Sequence, residues 1–490
     1  MERVRVLVVG AGLSGICAAV KLRRAGIEDF AVLDRAAELG GTWRDNTYPG
    51  CACDVPSALY SFSFEPKPDW SRFFAPQAEI RAYARRVAER HGVVPHLRFG
   101  ADVEDAAWDD SEQRWRVQTT AGDYDAQVLI AGTGPWHEPV IPDIPGRERF
   151  EGVSFHSSRW DHDHDLRGKR VAVIGSGASA VQFVPRIQPV VERLHLFQRT
   201  PHWVVPKPDR PLTDLERSLF ARLPVAQRVL RGGIYYGSEL LGRGMLRPPV
   251  MRRLQRIGER HLRRQVADQE LRRRLTPDYT LGCKRLLLSN DYYPSLTQPN
   301  VDVIPEAVTE IRERSVVGAD GVERDVDTIV FGTGFRLLDM PIAEWLRGRD
   351  GRTMAELWQG SPRGYMGTTV AGFPNAFMLL GPNLGNGHSS ATVLMEMQMA
   401  YVIDALRAME RDGLASVDVR ADVQWEFNER VDKRLAGSIW NAGGCGSYYL
   451  DRNGRNSFMY PWSTIHLRRR TRRFDLASYS TQPLARPVAA

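Results

Sequence analysis

The chain has 490 residues, enough for roughly two to four domains with well-filled cores. Hydrophobic residues make up 43% and charged residues 26%, the balance of a soluble globular protein, and no apolar run is long enough to span a bilayer. The net charge of +7 comes without a recognisable nucleic-acid-binding module, so no nucleic-acid partner is expected.

Residues 1–20 join a charged start to an apolar stretch, but their glycine spacing and lack of a cleavage-like exit mark a strand and turn rather than a secretory signal. Val4–Val9 reads as a buried parallel strand, and Leu13–Ala25 reads as a helix with Ile16, Ala19 and Val20 facing inward. Between them, Gly10-Ala11-Gly12-Leu13-Ser14-Gly15 makes a tight turn whose backbone N–H groups can approach a pyrophosphate at the helix N-terminus. Gly26 ends the helix, and Phe30–Leu33 forms the next strand with Asp34 at its tip. Asp34 follows Gly15 by nineteen residues, close to the offset at which an acid accepts hydrogen bonds from a free adenosine ribose.

The same pattern returns later with the opposite charge. Strand Arg170–Ile174 leads into Gly175-Ser176-Gly177-Ala178-Ser179-Ala180, where Ala180 stands for the third glycine and Pro185 kinks or shortens the helix. The next strand ends at Arg199 and Thr200, and a cation there suits a 2′-phosphate, although Arg199 taken alone reads as a surface arginine. A non-phosphorylated adenine dinucleotide is therefore expected at the first turn and NADP(H) at the second, which points to electron transfer.

Five scattered cysteines, Cys17, Cys51, Cys53, Cys283 and Cys445, fit a reducing cytoplasm. Cys51-Ala52-Cys53 has no second His/Cys pair to complete a metal site, so buried free thiols are expected there and no metal is assigned. Arg243–Arg274 carries eleven arginines against Glu259, Asp268 and Glu270, and Arg468–Arg473 forms a second cluster. Both read as solvated faces whose field steers anionic cofactors; the thin apolar face between the arginines disfavours adhesion to lipid.

Just before the second turn, Phe150, Gly152, His156, Trp160 and Asp161 satisfy every fixed position of the pattern F-x-G-x-x-x-H-x-x-x-W-[P/D]. On this motif the chain resembles the Baeyer–Villiger monooxygenases, and the resemblance runs from the first strand to about Phe474. It implies FAD and NADP(H) as cofactors, O2 and a ketone as reactants, and His156 near the junction of the cofactor domains. Gly40-Gly41-Thr42-Trp43 and Tyr48-Pro49-Gly50 are similar to the family's flavin-contacting segment, and Asp54 to the acid beside the flavin that orients a catalytic arginine. Arg285 matches that arginine and Lys284 the lysine that contacts the NADP 2′-phosphate. Gly132-Thr133-Gly134 and Gly332-Thr333-Gly334 resemble the turns at the domain crossings. Gly381-Pro382-Asn383 through Gly387-His388-Ser389 resembles the late flavin-ring segment, and Trp440 with Gly443-Gly444 a mobile loop over the nicotinamide; many relatives carry Trp where this chain has Tyr448.

The chemistry so implied is reduction of FAD by NADPH, formation of a C4a-peroxyflavin with O2, and attack on a ketone to give an ester or lactone. An arginine suits such a site because it stays protonated at any working pH, whereas desolvation can neutralise a lysine. Without the family motifs, Asp54 reads as a turn or helix-cap aspartate and Arg285 as a phosphate clamp shared with Lys284. Two other functions stand beside this one: an S- or N-oxygenating flavin monooxygenase, for which the arginine would be dispensable, and a non-catalytic NADP(H)-binding flavoprotein. A disulfide reductase is disfavoured because a C-x-x-C or C-x-x-x-x-C pair is absent.

The expected fold class is α/β, with two Rossmann-like domains and a helical insertion. Residues 1–142 and 370–490 are assigned to FAD, 150–206 and 280–366 to NADP, and 207–279 to the insertion, broken at Pro248-Pro249 and ended by Pro277. Asn453-Gly454 suggests a hairpin, and about the last fifteen residues, with Pro483 and Pro487, read as disordered. Cys53 precedes Asp54 and Cys283 lies two residues before Arg285, so a meeting of the two charges would bring these thiols together as a site of oxidant sensitivity. The sequence assigns neither the natural ketone nor the oligomeric state.

Overall fold

In the computed structural model, which describes residues 1–484, strand Glu2–Val9 lies at the heart of an eight-stranded sheet. It pairs in parallel with Phe30–Asp34 on one side and Tyr124–Ala131 on the other, and Val6, Leu7 and Val8 are fully buried. A continuous apolar run is what a parallel strand covered on both faces requires. Tyr124–Ala131 then branches: its first half pairs antiparallel with Arg114–Thr119, its second half parallel with Ala376–Met378. A strand near residue 376 therefore completes a sheet begun at residue 2. Val103–Asp109 extends the antiparallel side, Leu346–Arg347 pairs parallel with it at the edge, and Ile342, Met354 and Trp358 share the core there.

The second sheet is wholly parallel, in the order Val301–Ile304, Arg193–Phe197, Arg170–Ile174, Thr328–Phe331, Val153–His156. Each sheet has the strand–glycine turn–helix unit of a dinucleotide fold, so the α/β class with two Rossmann-like units stands. The first such helix runs Leu13–Arg24 and is closed by Gly26 at φ 79°, a value only glycine adopts without strain. The second, Ala178–Ile187, continues past Pro185 for two residues and stops.

Four helices make up the insertion: Asp214–Arg222, Pro224–Met245, Pro248–Gln265 and Gln269–Arg274. Thr213 and Glu216 form a reciprocal capping box at its entrance, and Pro248-Pro249 opens the third helix where no backbone donor is needed. The last helix ends at Arg274, ahead of the expected stop at Pro277.

Two expectations fail. Tyr479–Pro483 is not disordered but pairs antiparallel with Leu414–Val419. The Tyr479 hydroxyl anchors it, bonding the hydroxyls of Tyr401 at 2.9 Å and Thr369 at 3.0 Å; Pro487 lies outside the described residues. At Asn453-Gly454 there is a turn but no hairpin of strands, with a single bridge between Leu450 and Asn456. The Asp451 carboxylate takes the N–H groups of Asn453 and Arg455 that a ladder would have used.

Candidate active site

The two glycine turns are built alike. A Cβ on Gly10 would stand 2.7 Å from the Gly132 carbonyl oxygen, and one on Gly175 would stand 2.5 Å from that of Gly332. Each turn thus closes against a Gly-Thr-Gly turn at the end of a neighbouring strand, and both need the bare backbone. Gly41 completes the first cradle: its Cβ would lie 3.0 Å from the Gly12 Cα. At the first strand's tip, Asp34 is almost buried and accepts the Ala11 N–H at 2.8 Å, the Ala36 N–H at 2.9 Å and Arg44 Nη1 at 3.2 Å. Thr42 opens the short helix Thr42–Asp45, in which the buried Trp43 donates its indole N–H to the Tyr60 hydroxyl at 3.0 Å. Gly15 and Ala180 permit close helix–strand packing, since a Cβ on Gly15 would overlap the Gly10 carbonyl at 1.8 Å and Ala180 has no exposed surface.

Cations gather beside the second turn. Arg199 is exposed, with Thr200 next to it, and its charge acts on Lys284, whose amine is pushed below its ordinary value by burial and then by Arg199. His202 Nδ1 lies 3.4 Å from the Ser176 hydroxyl, and burial together with the Lys284 charge pushes the imidazole down to about 4. Asp278 is the acid that partly offsets Lys284. The sequence reading missed His202, which lies beyond the fingerprint's last position and carries no motif of its own.

The paired charges come from three distant segments. Arg285 Nε and Nη2 donate to Asp54 Oδ2 at 3.0 and 2.7 Å, and Nη1 donates to the Asn386 carbonyl at 3.4 Å. The two side chains keep 25% and 32% of their exposure, so the pair is partly open rather than sealed in the core. The Asp54 charge, against the opposing effect of burial, holds the guanidinium above its ordinary value. Lys284 and Arg285 are neighbours in sequence yet diverge, one toward Arg199 and Tyr279 and the other toward Asp54. Strand Leu287–Leu288, paired with Val204–Val205, sets that direction. The hydroxyls of Tyr448 and Tyr449, 3.3 Å apart, both lie in the field of Arg285.

Cys53 is free, buried and within the influence of Arg285, as the sequence reading supposed, and burial pushes its thiol up. Cys283 is not free: it forms a disulfide with Cys445, 162 residues away, so the expected pair of oxidant-sensitive thiols at Cys53 and Cys283 is corrected, while Cys51 and Cys53 are free and buried. The pairing arises because the segment around Gly443 folds onto residues 280–283, with the Thr280 N–H donating to the Gly443 carbonyl at 2.9 Å. Sequence spacing cannot show such a contact. Trp440, expected on a mobile loop, is buried in the short helix Ile439–Ala442 against Gly387.

The motif His156 sits at the end of the second sheet beside Gly334, where Nδ1 accepts the Ser158 N–H at 3.1 Å and burial pushes the ring down to about 4. Gln182 ties the helix after the second turn to the first half of the chain: its side-chain amide exchanges hydrogen bonds with the backbone of Ala52 at 3.2 and 3.0 Å. Near Arg285, Asn386 Oδ1 accepts the N–H groups of His388 and Ser389, both at 2.8 Å. Asn386 Nδ2, His388 Nδ1, Ser389 Oγ and His156 Nε2 are buried without a protein partner. Buried polar atoms left in this state call for a ligand rich in acceptors and donors. With two backbone cradles that a Cβ would fill, they fit a flavin dinucleotide at the first turn and a nicotinamide dinucleotide at the second.

The family model described as pyridine nucleotide-disulphide oxidoreductase matches residues 7–215. A Baeyer–Villiger monooxygenase of Streptomyces coelicolor is 50% identical over 491 positions, covering 100% of this chain and 94% of its own length. One of Pseudomonas aeruginosa is 46% identical, covering 98% and 92%. Among solved structures, cyclohexanone monooxygenase from Rhodococcus sp. Phi1 bound to NADP+ has a TM-score of 0.87 at 26% identity, covering 98% of this chain and 99% of that one. OTEMO in complex with FAD and NADP has a TM-score of 0.89 at 25% identity, with the same coverage. The likeness extends through both sheets, the insertion and the segments that meet at Arg285, and the chain belongs to the Baeyer–Villiger monooxygenase family.

Proposed function

We propose that the protein is an NADPH- and O2-dependent flavoprotein that inserts one oxygen atom beside a ketone carbonyl to give an ester or lactone. The observation that carries this reading is the convergence of Arg285, Asp54 and Asn386 beside unpartnered buried polar atoms. Gly10, Gly12, Gly15, Asp34, Gly41, Thr42 and Trp43 would hold FAD; Gly175, Gly177, Ala180, Arg199, Thr200 and Lys284 would hold NADP(H), with Trp440 closing the nicotinamide side. The 1–142 and 370–490 segments would form the FAD domain and 150–206 with 280–366 the NADP domain. Pairing of Leu346–Arg347 with Val103–Asp109 supports moving residues 342–358 to the former.

When bound, FAD takes electrons from NADPH and supplies the reactivity toward O2. Arg285 places a permanent positive charge where negative charge develops on oxygen, and does so without reorganisation at the moment of reaction. Asp54 fixes the guanidinium by accepting two donors on one oxygen, and it offsets part of the cost of desolvating the cation. Lys284 and Arg199 reach toward a 2′-phosphate from one side of the second turn, and so discriminate NADPH from NADH. The buried Trp440 and Tyr449 limit access of water. The direct test is incubation of the flavin-loaded protein with NADPH, air and a panel of ketones, followed by mass analysis. Products heavier by one oxygen are expected; NADPH consumption that never yields one, across the panel, would overturn the reading.

A further inference from the structure

We propose that the helical insertion docks the enzyme on an anionic lipid surface, through an exposed, largely apolar row on helix Pro224–Met245 framed by arginines. Val225, Val229, Tyr236 and Leu240 are 52%, 70%, 63% and 70% exposed. Their spacing of four, seven and four residues puts them on one helical face, a line of about 22 Å. Between them, Gly233 and Gly237 have open space where a Cβ would stand, so no polar side chain interrupts the row. Leu215 and Leu219, one turn apart on the preceding helix, add exposed aliphatic surface next to it. Exposed apolar residues scattered singly need no explanation, but a contiguous row does.

The helix is not loosely placed. The helix buries Gln227, Glu239, Gly242 and Met245 against the protein, and Glu239 accepts the Thr464 N–H at 3.0 Å and contacts His388 Nε2 at 3.1 Å. That leaves the outer face without an acid, since Glu239 is the only one on the helix, while Arg222, Arg228, Arg243 and Arg247 are all exposed. Residues 207–279 as a whole hold 17 basic and eight acidic side chains, a local +9 that leaves the rest of the chain at −2. A second copy pressed against this face would bring +9 against +9. An anionic bilayer offers an apolar boundary to the row and phosphates to the arginines. The apolar face that is thin lies within Arg243–Arg274, whereas the row runs along residues 225–240. Among the described residues no helix is long and apolar enough to cross a membrane, and the proposal is of surface docking only.

The test is co-sedimentation of the flavin-loaded full chain with vesicles of phosphatidylcholine alone or mixed with phosphatidylglycerol, at low and high salt. Binding to the anionic vesicles is expected, with release at high salt and little binding to phosphatidylcholine. Val229→Ser with Leu240→Ser should weaken binding about tenfold or more. Arg228→Gln and Arg243→Gln should each weaken it about fivefold, and only on anionic vesicles. All variants should keep the wild-type flavin spectrum and NADPH oxidation rate in buffer, which separates lost docking from lost folding. Absence of binding to anionic vesicles, equal binding to neutral ones, or a concentration-dependent dimer that the Val229→Ser/Leu240→Ser pair abolishes without any vesicle binding would overturn the proposal.

Discussion

Replacing Arg285 with alanine removes three donors at once, two to Asp54 and one to the Asn386 carbonyl, and leaves a carboxylate facing the reacting oxygens. Loss of one preorganised donor to a developing oxyanion costs about 3–4 kcal/mol, or about 10²–10³ in rate. Repulsion from the orphaned Asp54 adds to that, although a third of that side chain's exposure remains and solvent screens part of it. Ester formation should therefore fall by at least about 10²-fold. Reduction of the flavin by NADPH should change little, because the charges acting on Lys284 are Arg199 and Asp278 rather than the Arg285–Asp54 pair. Stopped-flow reduction without oxygen isolates the first half-reaction, and product analysis in air reads the second. A lysine at 285 keeps the charge but lacks the planar guanidinium fork that reaches Asp54 and the Asn386 carbonyl together, so it should recover only part of the loss. Lactone formation at the wild-type rate in Arg285→Ala would refute the fixed-cation reasoning; an equal collapse of flavin reduction would reassign Arg285 to cofactor binding.

Lys284→Ala should raise the KM for NADPH about 10–100-fold and that for NADH little, as expected for one charge-assisted contact to a phosphate; an unchanged NADPH/NADH ratio would remove Lys284 from the 2′-phosphate site. Asp418 accepts the Gly372 N–H at 3.0 Å, yet burial pushes its carboxyl from 3.8 up to about 6. The folded protein then holds a proton that the unfolded chain releases, so stability falls as pH rises from about 4 to 6. Asp418→Asn should stabilise by about 1–3 kcal/mol at pH 8 and by almost nothing at pH 4, read by denaturant melts at the two pH values. Cys445→Ser should cost about 2–4 kcal/mol and open residues 437–449 to limited proteolysis, whereas Cys53→Ser should leave that segment protected. Equal protection in both variants would mean that packing of Trp440, rather than the disulfide, holds the loop.

The two glycine turns, their flanking strands and helices, and Asp34 at the tip of the next strand were legible in the sequence because each is encoded locally. A tight turn needs glycine at its own position, and a doubly covered strand needs an unbroken apolar run. Residues that act through partners far along the chain were not legible from spacing. Asp54 and Arg285 are 231 residues apart, and only family resemblance brought them together before the fold did. The Cys283–Cys445 bond and the unpartnered atoms of Asn386, His388 and Ser389 are consequences of which loops the two sheets bring to one place. Tyr479 shows the same limit at the chain's end: a proline-bearing tail read as disordered becomes a strand because a buried hydroxyl finds Tyr401 and Thr369. Exposure is likewise decided by tertiary packing. Val229 and Leu240 stay 70% exposed because helix Pro224–Met245 buries Gln227, Glu239 and Met245 against the protein, a choice of face that spacing alone does not fix. Local stereochemistry determined where two dinucleotides can bind; the long-range assembly of three chain segments decided what can react between them.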